Sequence, residues 1–303
     1  MVDEPKLSEA NRALQRLIAL ETFSTPREFM ASATPLLQSG SAEFCDALGR
    51  SRSMQALQTA LVFSDLKCES ETRYARLYST PGTARKRLLV AFTGVAMRLM
   101  MPLPIFMQAL PRDVDLLILY DPLRDHYRKG IWDGTKTLFD LKEATAPVAR
   151  AYGDVIALGV SGGGLPALRF AKHVMLRRAA SFGGRYIDDT LRNLRKESVV
   201  TAYDPLCACD TASKTEALLV YASENTHDAR AAKCAAAAAN AFLLPLNGQK
   251  DHIVLWTIQL MGHLPDLLEM LFSSSAQTIR EALDAWIAAN PLPRQSNVLF
   301  QKL

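Results

Sequence analysis

Cysteine is scarce in this chain. Its 303 residues include five cysteines, an odd number, and none of them has the C-x-x-C spacing of a zinc site. Cys207 and Cys209 are two positions apart, with no histidine beside them at the spacing of a metal ligand. The sequence therefore predicts no metal, and its cysteine usage favours a reducing compartment.

Long apolar runs and clustered charge are also missing. The longest apolar stretches have about ten residues, too few to span a bilayer, and the first ten residues lack the apolar core of a signal peptide. The net charge is +4, and the basic residues are scattered without the aromatic interleaving typical of nucleic-acid binding. We expect a soluble, cytoplasmic protein with no membrane span and no nucleic-acid partner.

The first 72 residues indicate helices. Apolar positions between 14 and 23 share one helical face. A second helix is expected after Thr25, which can cap it and is followed by a proline in the first turn. Helical spacing continues through 41–63, and no strand is expected before residue 73. We expect residues 1–72 to form an α-helical extension packed on the next domain, with a surface through which the chain can oligomerise.

From residue 73 onward, short apolar runs alternate with segments long enough for helices. Each run is continuously apolar, as expected for a strand buried on both faces. This alternation predicts an α/β domain over 73–290 with a doubly wound, mostly parallel sheet. Pro245 removes a hydrogen-bond donor from the last run and indicates an edge strand. The runs cover residues 88–92, 114–120, 155–160, 217–221 and 242–246, with a weaker candidate at 179–182.

Two stretches fall outside this alternation. Residues 185–215 contain no strand pattern, although 187–197 are helical in spacing. We expect this insertion to form either part of a lid over a cleft or a loop packed on the protein surface. Residues 291–303 form a polar tail.

The most specific motif is Gly159-Val160-Ser161-Gly162-Gly163, which matches G-x-S-x-G. The pattern alone is weak, but here an apolar run enters it directly and a helical segment leaves it directly. A nucleophilic serine requires this strand–turn–helix context, because small neighbours permit the sharp turn and the helix N-terminus favours developing negative charge. A phosphate-binding turn has less support, since both the P-loop lysine and the G-x-G-x-x-G spacing are absent.

This unit resembles the nucleophile elbow of the α/β-hydrolase superfamily. The resemblance covers residues 73–290 and implies an α/β-hydrolase-type sheet, Ser161 as the nucleophile and no cofactor. It also implies the chain order serine, acid, histidine, with the acid after the next-to-last strand and the histidine after the last. His252 lies in the polar loop after the run 242–246 and has that position. The other four histidines do not: His126, His173, His227 and His263.

Two carboxylates follow the run 217–221, where the resemblance places the acid. Glu224 is a loop residue, and Asp228 begins a helix, where capping is an alternative role. We favour Asp228, whose task would be to hold the His252 tautomer and to stabilise the imidazolium.

Acyl transfer also requires hydrogen-bond donors for the tetrahedral oxyanion. One is the backbone N–H of Gly162, and the resemblance implies the N–H of Val95 as the second. The usual His-Gly start of that loop is replaced here by Thr93-Gly94. The apolar segment 96–106, with three methionines, predicts either an acyl pocket or core packing.

A basic loop follows the run 114–120 at the same edge of the sheet. Arg124 and Tyr127 are candidates for binding an anionic or sugar-like substrate, with Arg128 beside them. A solvated charged loop is the alternative, and it is favoured.

These features support three functional hypotheses. The first is a serine hydrolase that cleaves a small-molecule or glycan-type acyl ester, or a thioester, through an acyl-serine intermediate. The second is an O-acyltransferase that uses the same triad on a sugar or another alcohol. The third, a non-catalytic binding protein on a hydrolase fold, is disfavoured because serine, acid and histidine are all present in the expected order. The sequence does not separate the first two, which differ in what excludes water from the site.

Overall fold

The computed structural model of the chain describes residues 8–60, 62–82, 86–131, 134–185, 214–239 and 241–290. The expected lid insertion, apart from its ends, lies outside these residues, and so does the tail 291–303. No helix in the described part of the chain is long and apolar enough to cross a membrane.

Within the described ranges, one eight-stranded sheet forms the centre of the fold. Its strands are β1 (Lys67–Glu71), β2 (Ala75–Ser79), β3 (Arg87–Phe92), β4 (Val114–Leu119), β5 (Asp154–Val160), β6 (Arg178–Phe182), β7 (Glu216–Ala222) and β8 (Phe242–Leu246). Their order is β1-β2-β4-β3-β5-β6-β7-β8. Strands β3 to β8 are parallel, whereas β2 is antiparallel to both β1 and β4. The predicted mostly parallel sheet is confirmed, with β8 and its proline at an edge.

Helices cover both faces of the sheet. They are α1 (Glu9–Phe23), α2 (Pro26–Ser39), α3 (Ala42–Gly49), α4 (Arg52–Gln58), α5 (Leu103–Ala109), α6 (Leu138–Arg150), α7 (Gly164–His173), α8 (Thr226–Ala239), α9 (Val254–Leu260), α10 (Leu264–Ser273) and α11 (Ala276–Ala289). Successive strand residues point to opposite faces. Leu89 accordingly packs in one core with α5, α9, α10 and α11, and Leu88 packs in the other with α6, α7 and α8.

The N-terminal helices have a small core of their own, centred on the buried side chains of Phe29, Phe44 and Leu48. Thr25 caps α2 in a reciprocal capping box with Glu28, as its sequence position predicts. The expectation that no strand precedes residue 73 is wrong, because β1 (Lys67–Glu71) lies within the range 1–72. This strand is polar and exposed along its whole length, so it carries no apolar pattern that would predict it.

The last turn of α1 is attached to the sheet through its carbonyl groups. The Tyr120 hydroxyl donates to Thr22 O at 3.1 Å, and the Tyr78 hydroxyl donates to Phe23 O at 3.1 Å. Arg76 Nη1 donates to the same Phe23 oxygen at 3.0 Å. The last carbonyls of a helix lack intrahelical donors and form its negative end. These three bonds therefore fix the end of α1 on β2 and on the residue that follows β4.

Candidate active site

Ser161 occupies a sharp turn between β5 and α7. Its φ angle is +49°, in the left-handed region that non-glycine residues rarely adopt. Small neighbours make the turn possible, since a Cβ atom on Gly159 would lie 2.8 Å from Ala167 Cβ. A Cβ atom on Gly163 would lie 2.5 Å from the Thr93 carbonyl oxygen. The sequence thus builds a strained strand-to-helix turn with Ser161 at its tip, the geometry expected for a nucleophile elbow.

The structure brings Ser161, His252 and Asp228 together. His252 Nε2 lies 2.9 Å from Ser161 Oγ. On the other side of the ring, Nδ1 lies 2.9 Å and 3.0 Å from the two carboxylate oxygens of Asp228. An ionised carboxylate only accepts hydrogen bonds, so the proton belongs on Nδ1 and Nε2 is left to accept from the serine hydroxyl. The three residues follow β5, β8 and β7, whose carboxyl ends share one edge of the sheet.

Asp228 and Glu224 differ sharply in their surroundings. The Asp228 side chain is 3% exposed, and both of its oxygens face His252. Glu224 is 48% exposed and lies 3.6 Å from Lys250 Nζ. The capping alternative for Asp228 does not hold, because Asn225 Oδ1 accepts the Asp228 N–H at 3.1 Å and so caps the helix itself. The geometry supports Asp228 as the partner of the histidine.

The loop after β3 lies against the serine. A Cβ atom on Gly94 would be 3.2 Å from Ser161 Cβ, and the Val95 side chain lies 3.1 Å from the Cβ position of Gly162. Within the described residues, the Val95 N–H has no acceptor. Gly162 stands in the first turn of a helical segment, where N–H groups lack intrahelical partners. Both residues therefore lie beside Ser161, and Gly162 follows it directly in the chain.

The segment 96–106 is mostly core. Met101 and Phe106 are buried in the same cluster as the sheet residues of that face, so core packing is the better description of the segment. Met100 is also buried, and its Cε lies 3.0 Å from the Cβ position of Gly183, a residue next to His252.

His126 is a site residue that the sequence analysis did not find. Its Nδ1 lies 3.3 Å from the Cβ position of Gly162, beside the proposed oxyanion donors. The loop after β4 holds it there, because Asp121 Oδ2 accepts the His126 N–H at 2.8 Å. Burial lowers the pKa of His126, and the positive charge of Arg185 lowers it further. The interaction with the Gly162 backbone raises this pKa, but by less than burial lowers it. Sheet topology was the signal that could have found it. Since β4 is next to β3 in the sheet, the loop that carries His126 lies beside the loop that carries Val95.

The basic loop places its two candidate residues differently. The Tyr127 side chain is fully buried, and its hydroxyl donates to Leu119 O at 2.6 Å and lies 3.1 Å from Thr93 Oγ1. The expected contact of Tyr127 with substrate is therefore wrong, because both the ring and the hydroxyl are used inside the protein. Burial raises the pKa of Tyr127 well above its usual value, so the hydroxyl stays protonated. Arg124 is exposed, with a φ angle of +55°, and its contact with substrate stays a prediction.

No group of three or more His, Cys, Asp or Glu side chains in the described ranges is arranged to hold a metal ion. What the site offers is an oriented hydroxyl, an imidazole acceptor, a buried carboxylate and backbone N–H groups. This set suits proton transfer and stabilisation of an oxyanion.

A scan against models of protein families and a search of curated proteins each find no match. Solved structures do match. A thermostable esterase from Pseudomonas putida is 11% identical, with 96% of this chain and 99% of that chain covered and a TM-score of 0.45. A putative dienelactone hydrolase from Klebsiella pneumoniae is 14% identical, with 71% and 92% covered and a TM-score of 0.42. The capsule O-acetyltransferase of Neisseria meningitidis serogroup A is 11% identical, with 66% and 92% covered and a TM-score of 0.44. The chain's own strand order and serine turn give the assignment: it has the α/β-hydrolase fold that its motif predicts.

Proposed function

We propose that this chain is a serine hydrolase that cleaves an ester or thioester through an acyl-serine intermediate. One observation carries the proposal. A continuous series of hydrogen bonds links Ser161 to His252 and His252 to Asp228, at 2.9 Å for each bond, at the turn between β5 and α7. A nucleophile within reach of a base that is itself oriented by a carboxylate is the arrangement that covalent catalysis requires.

In the acylation half-reaction, Ser161 Oγ attacks the substrate carbonyl carbon while its proton moves to His252 Nε2. The carbonyl electron pair moves onto oxygen, where the N–H groups of Gly162 and Val95 stabilise the negative charge. Asp228 stays ionised and stabilises the imidazolium. The tetrahedral intermediate then collapses, and the leaving alcohol or thiol takes the proton from His252.

The same residues release the acyl group. Water gives a proton to His252 Nε2 as its oxygen attacks the acyl carbonyl, and collapse of the second intermediate returns the proton to Ser161 Oγ. An alcohol in place of water would give acyl transfer instead. The acceptor, rather than the triad, decides between these outcomes.

The proposed substrate is a small-molecule or glycan-type acyl ester. An exposed Arg124 in the loop after β4 supports a contact with a polar part of that substrate. Neutral His126 beside Gly162 adds a second polar group next to the reacting carbonyl.

The test is turnover of a panel of p-nitrophenyl esters of increasing acyl length, with and without a methyl glycoside as an alcohol acceptor. The wild type should release nitrophenol with one class of acyl length, and Ser161→Ala should lose about 10³-fold or more of kcat. The matched control is Ser273→Ala, which removes an exposed hydroxyl bonded only to its own helix. Equal activity in Ser161→Ala and wild type would refute the proposal. A glycoside ester as the main product would assign acyl transfer.

A further inference from the structure

A largely buried ion pair joins the N-terminal helices to the loop after β3. Glu21 Oε2, on α1, lies 3.4 Å from Arg98 Nη2, and each side chain is only 12% exposed. The other carboxylate oxygen accepts hydrogen bonds from Ser51 Oγ at 2.8 Å and from Ser53 Oγ at 3.0 Å. Both oxygens of Glu21 therefore have partners. One accepts from Ser51, the N-cap of α4, and from Ser53 within that helix, and the other lies against Arg98 of the loop.

Ion pairs of this kind are not explained by stability alone. Removing two charges from water costs free energy that their attraction often fails to offset, and an apolar pair of similar volume is often as stable. The location of the pair matters more, because Arg98 belongs to the loop that carries a proposed oxyanion donor.

Arg98 holds that loop in two ways. Its carbonyl oxygen accepts the Gly94 N–H at 3.0 Å, and Met97 N–H donates back to Gly94 O at 2.9 Å, so the segment 94–98 forms a closed turn. Its guanidinium binds Glu21 and also donates to Ile18 O, at 3.5 Å. The residue whose main chain closes the turn is therefore the one whose side chain is fixed to α1.

We propose that Glu21 and Arg98 are positioning residues that hold the Val95 N–H in place for the oxyanion. This inference rests on the proposed function, because it assigns the N-terminal helices a task in that reaction. Val95 stands inside the turn that Arg98 closes, between Gly94 and Met97. The helical layer then acts as the outer support of the oxyanion hole.

Backbone geometry gives a reason for such support. Met97 and Met100, on either side of Arg98, have φ angles of +55° and +62°. Non-glycine residues keep such angles only where the surroundings enforce them. An oxyanion donor acts only within about 2.7–3.1 Å of the charge that it stabilises, so a small relaxation of the turn would remove most of its effect.

The test compares Glu21→Gln, Arg98→Met and the double variant with wild type. In Glu21→Gln, the new side chain keeps the volume of glutamate and an oxygen that can accept from Ser51 and Ser53. It carries no negative charge to pair with Arg98. We expect kcat to fall about 10- to 100-fold with KM little changed, because the lost interaction belongs to the transition state. Affinity for an alkyl boronic acid, which forms a tetrahedral adduct with the serine, should fall in parallel with kcat/KM. The double variant should lose no more than the single variants, since all three break one link.

The matched control is Asp65→Asn, which breaks the exposed ion pair of Asp65 with Arg27. An exposed pair contributes little, so its kcat and boronate affinity should equal those of wild type. Arg98→Lys guards against loss of folding, because it keeps the positive charge at this site but replaces the planar guanidinium, whose Nη2 contacts both Glu21 and Ile18 O, with a compact ammonium group. Its kcat should lie between those of wild type and Glu21→Gln, and its melting temperature should stay above the assay temperature.

Two outcomes would overturn the proposal in different ways. If the wild type turns over esters and the folded variants match it in kcat and boronate affinity, Glu21 and Arg98 do not position the donor. If the wild type itself neither turns over esters nor binds the boronate, the proposed function fails and this inference fails with it.

Discussion

Replacing Asp228 with asparagine tests the assignment of the acid. The Asp228 carboxylate is 3% exposed and places both oxygens within 3.0 Å of His252 Nδ1. Asparagine keeps the shape but removes the charge that stabilises the imidazolium. Its amide N–H can also donate to Nδ1, which moves the ring proton to Nε2, where it faces Ser161 Oγ and blocks its role as a base.

The expected loss follows from these two effects together. In serine proteases the same change lowers kcat by about 10⁴-fold, and four factors of ten correspond to about 5 kcal/mol of transition-state stabilisation. We expect kcat/KM of Asp228→Asn to fall by about this factor with the best ester of the panel. Melting curves should confirm that the variant is folded at the assay temperature.

Glu224→Gln is the matched control for this experiment. Glu224 is 48% exposed and lies 3.6 Å from Lys250 Nζ, so removing its charge breaks only a surface pair of small energy. Its kcat/KM should stay within about twofold of wild type. If Glu224→Gln loses more activity than Asp228→Asn, the assignment of the acid is refuted.

Three further predictions concern the surroundings of the triad. Burial lowers the pKa of His126 in the folded protein, so the unfolded chain binds the proton first, and stability should decrease as pH falls below about 6.5. The His126→Gln variant should show a smaller decrease in thermal melts, and an equal decrease would contradict the assignment. Tyr127→Phe should lower the free energy of unfolding by about 1–3 kcal/mol in urea titrations and leave KM unchanged. A raised KM would indicate that Tyr127 does contact the substrate. Gly159→Ala should fail to give a stable fold in expression and melting assays, because its Cβ would lie 2.8 Å from Ala167 Cβ. Gly49→Ala, where nothing lies within 4 Å of the added Cβ, should keep or slightly raise stability, and equal behaviour of the two glycine variants would contradict the packing argument.

The sheet and the approach of Ser161 to His252 could be predicted from the sequence. Strands β3 to β7 are buried on both faces, and four of them contain the continuous apolar runs that such burial requires. The exception is β6, where Arg178 and Ser181 weaken the pattern. The serine turn needs small residues at fixed positions. His252 followed from the chain order that the resemblance to the α/β-hydrolase superfamily implies. Strand β1 gave no such signal, since an exposed polar edge strand needs no apolar side chain.

The surroundings of the triad were harder to predict, because they depend on contacts between distant parts of the chain. Arg98 and Glu21 lie far apart in the sequence, and nothing in either local pattern links them. Tyr127 stands in a loop where three non-glycine residues, Arg124, His126 and Tyr127, have positive φ angles. That backbone turns the tyrosine inward and His126 towards Gly162, and periodicity does not encode such a turn.

Labelling with a fluorophosphonate shows whether Ser161 is an activated nucleophile. The reagent forms a covalent bond with an activated serine, and peptide mass spectrometry then identifies the modified residue. We expect one stoichiometric adduct on Ser161 in the wild type, none in Ser161→Ala and an unchanged signal in Ser273→Ala. A folded wild type that takes up no label, or that carries it on another serine, would contradict the claim that Ser161, His252 and Asp228 form a working nucleophilic site.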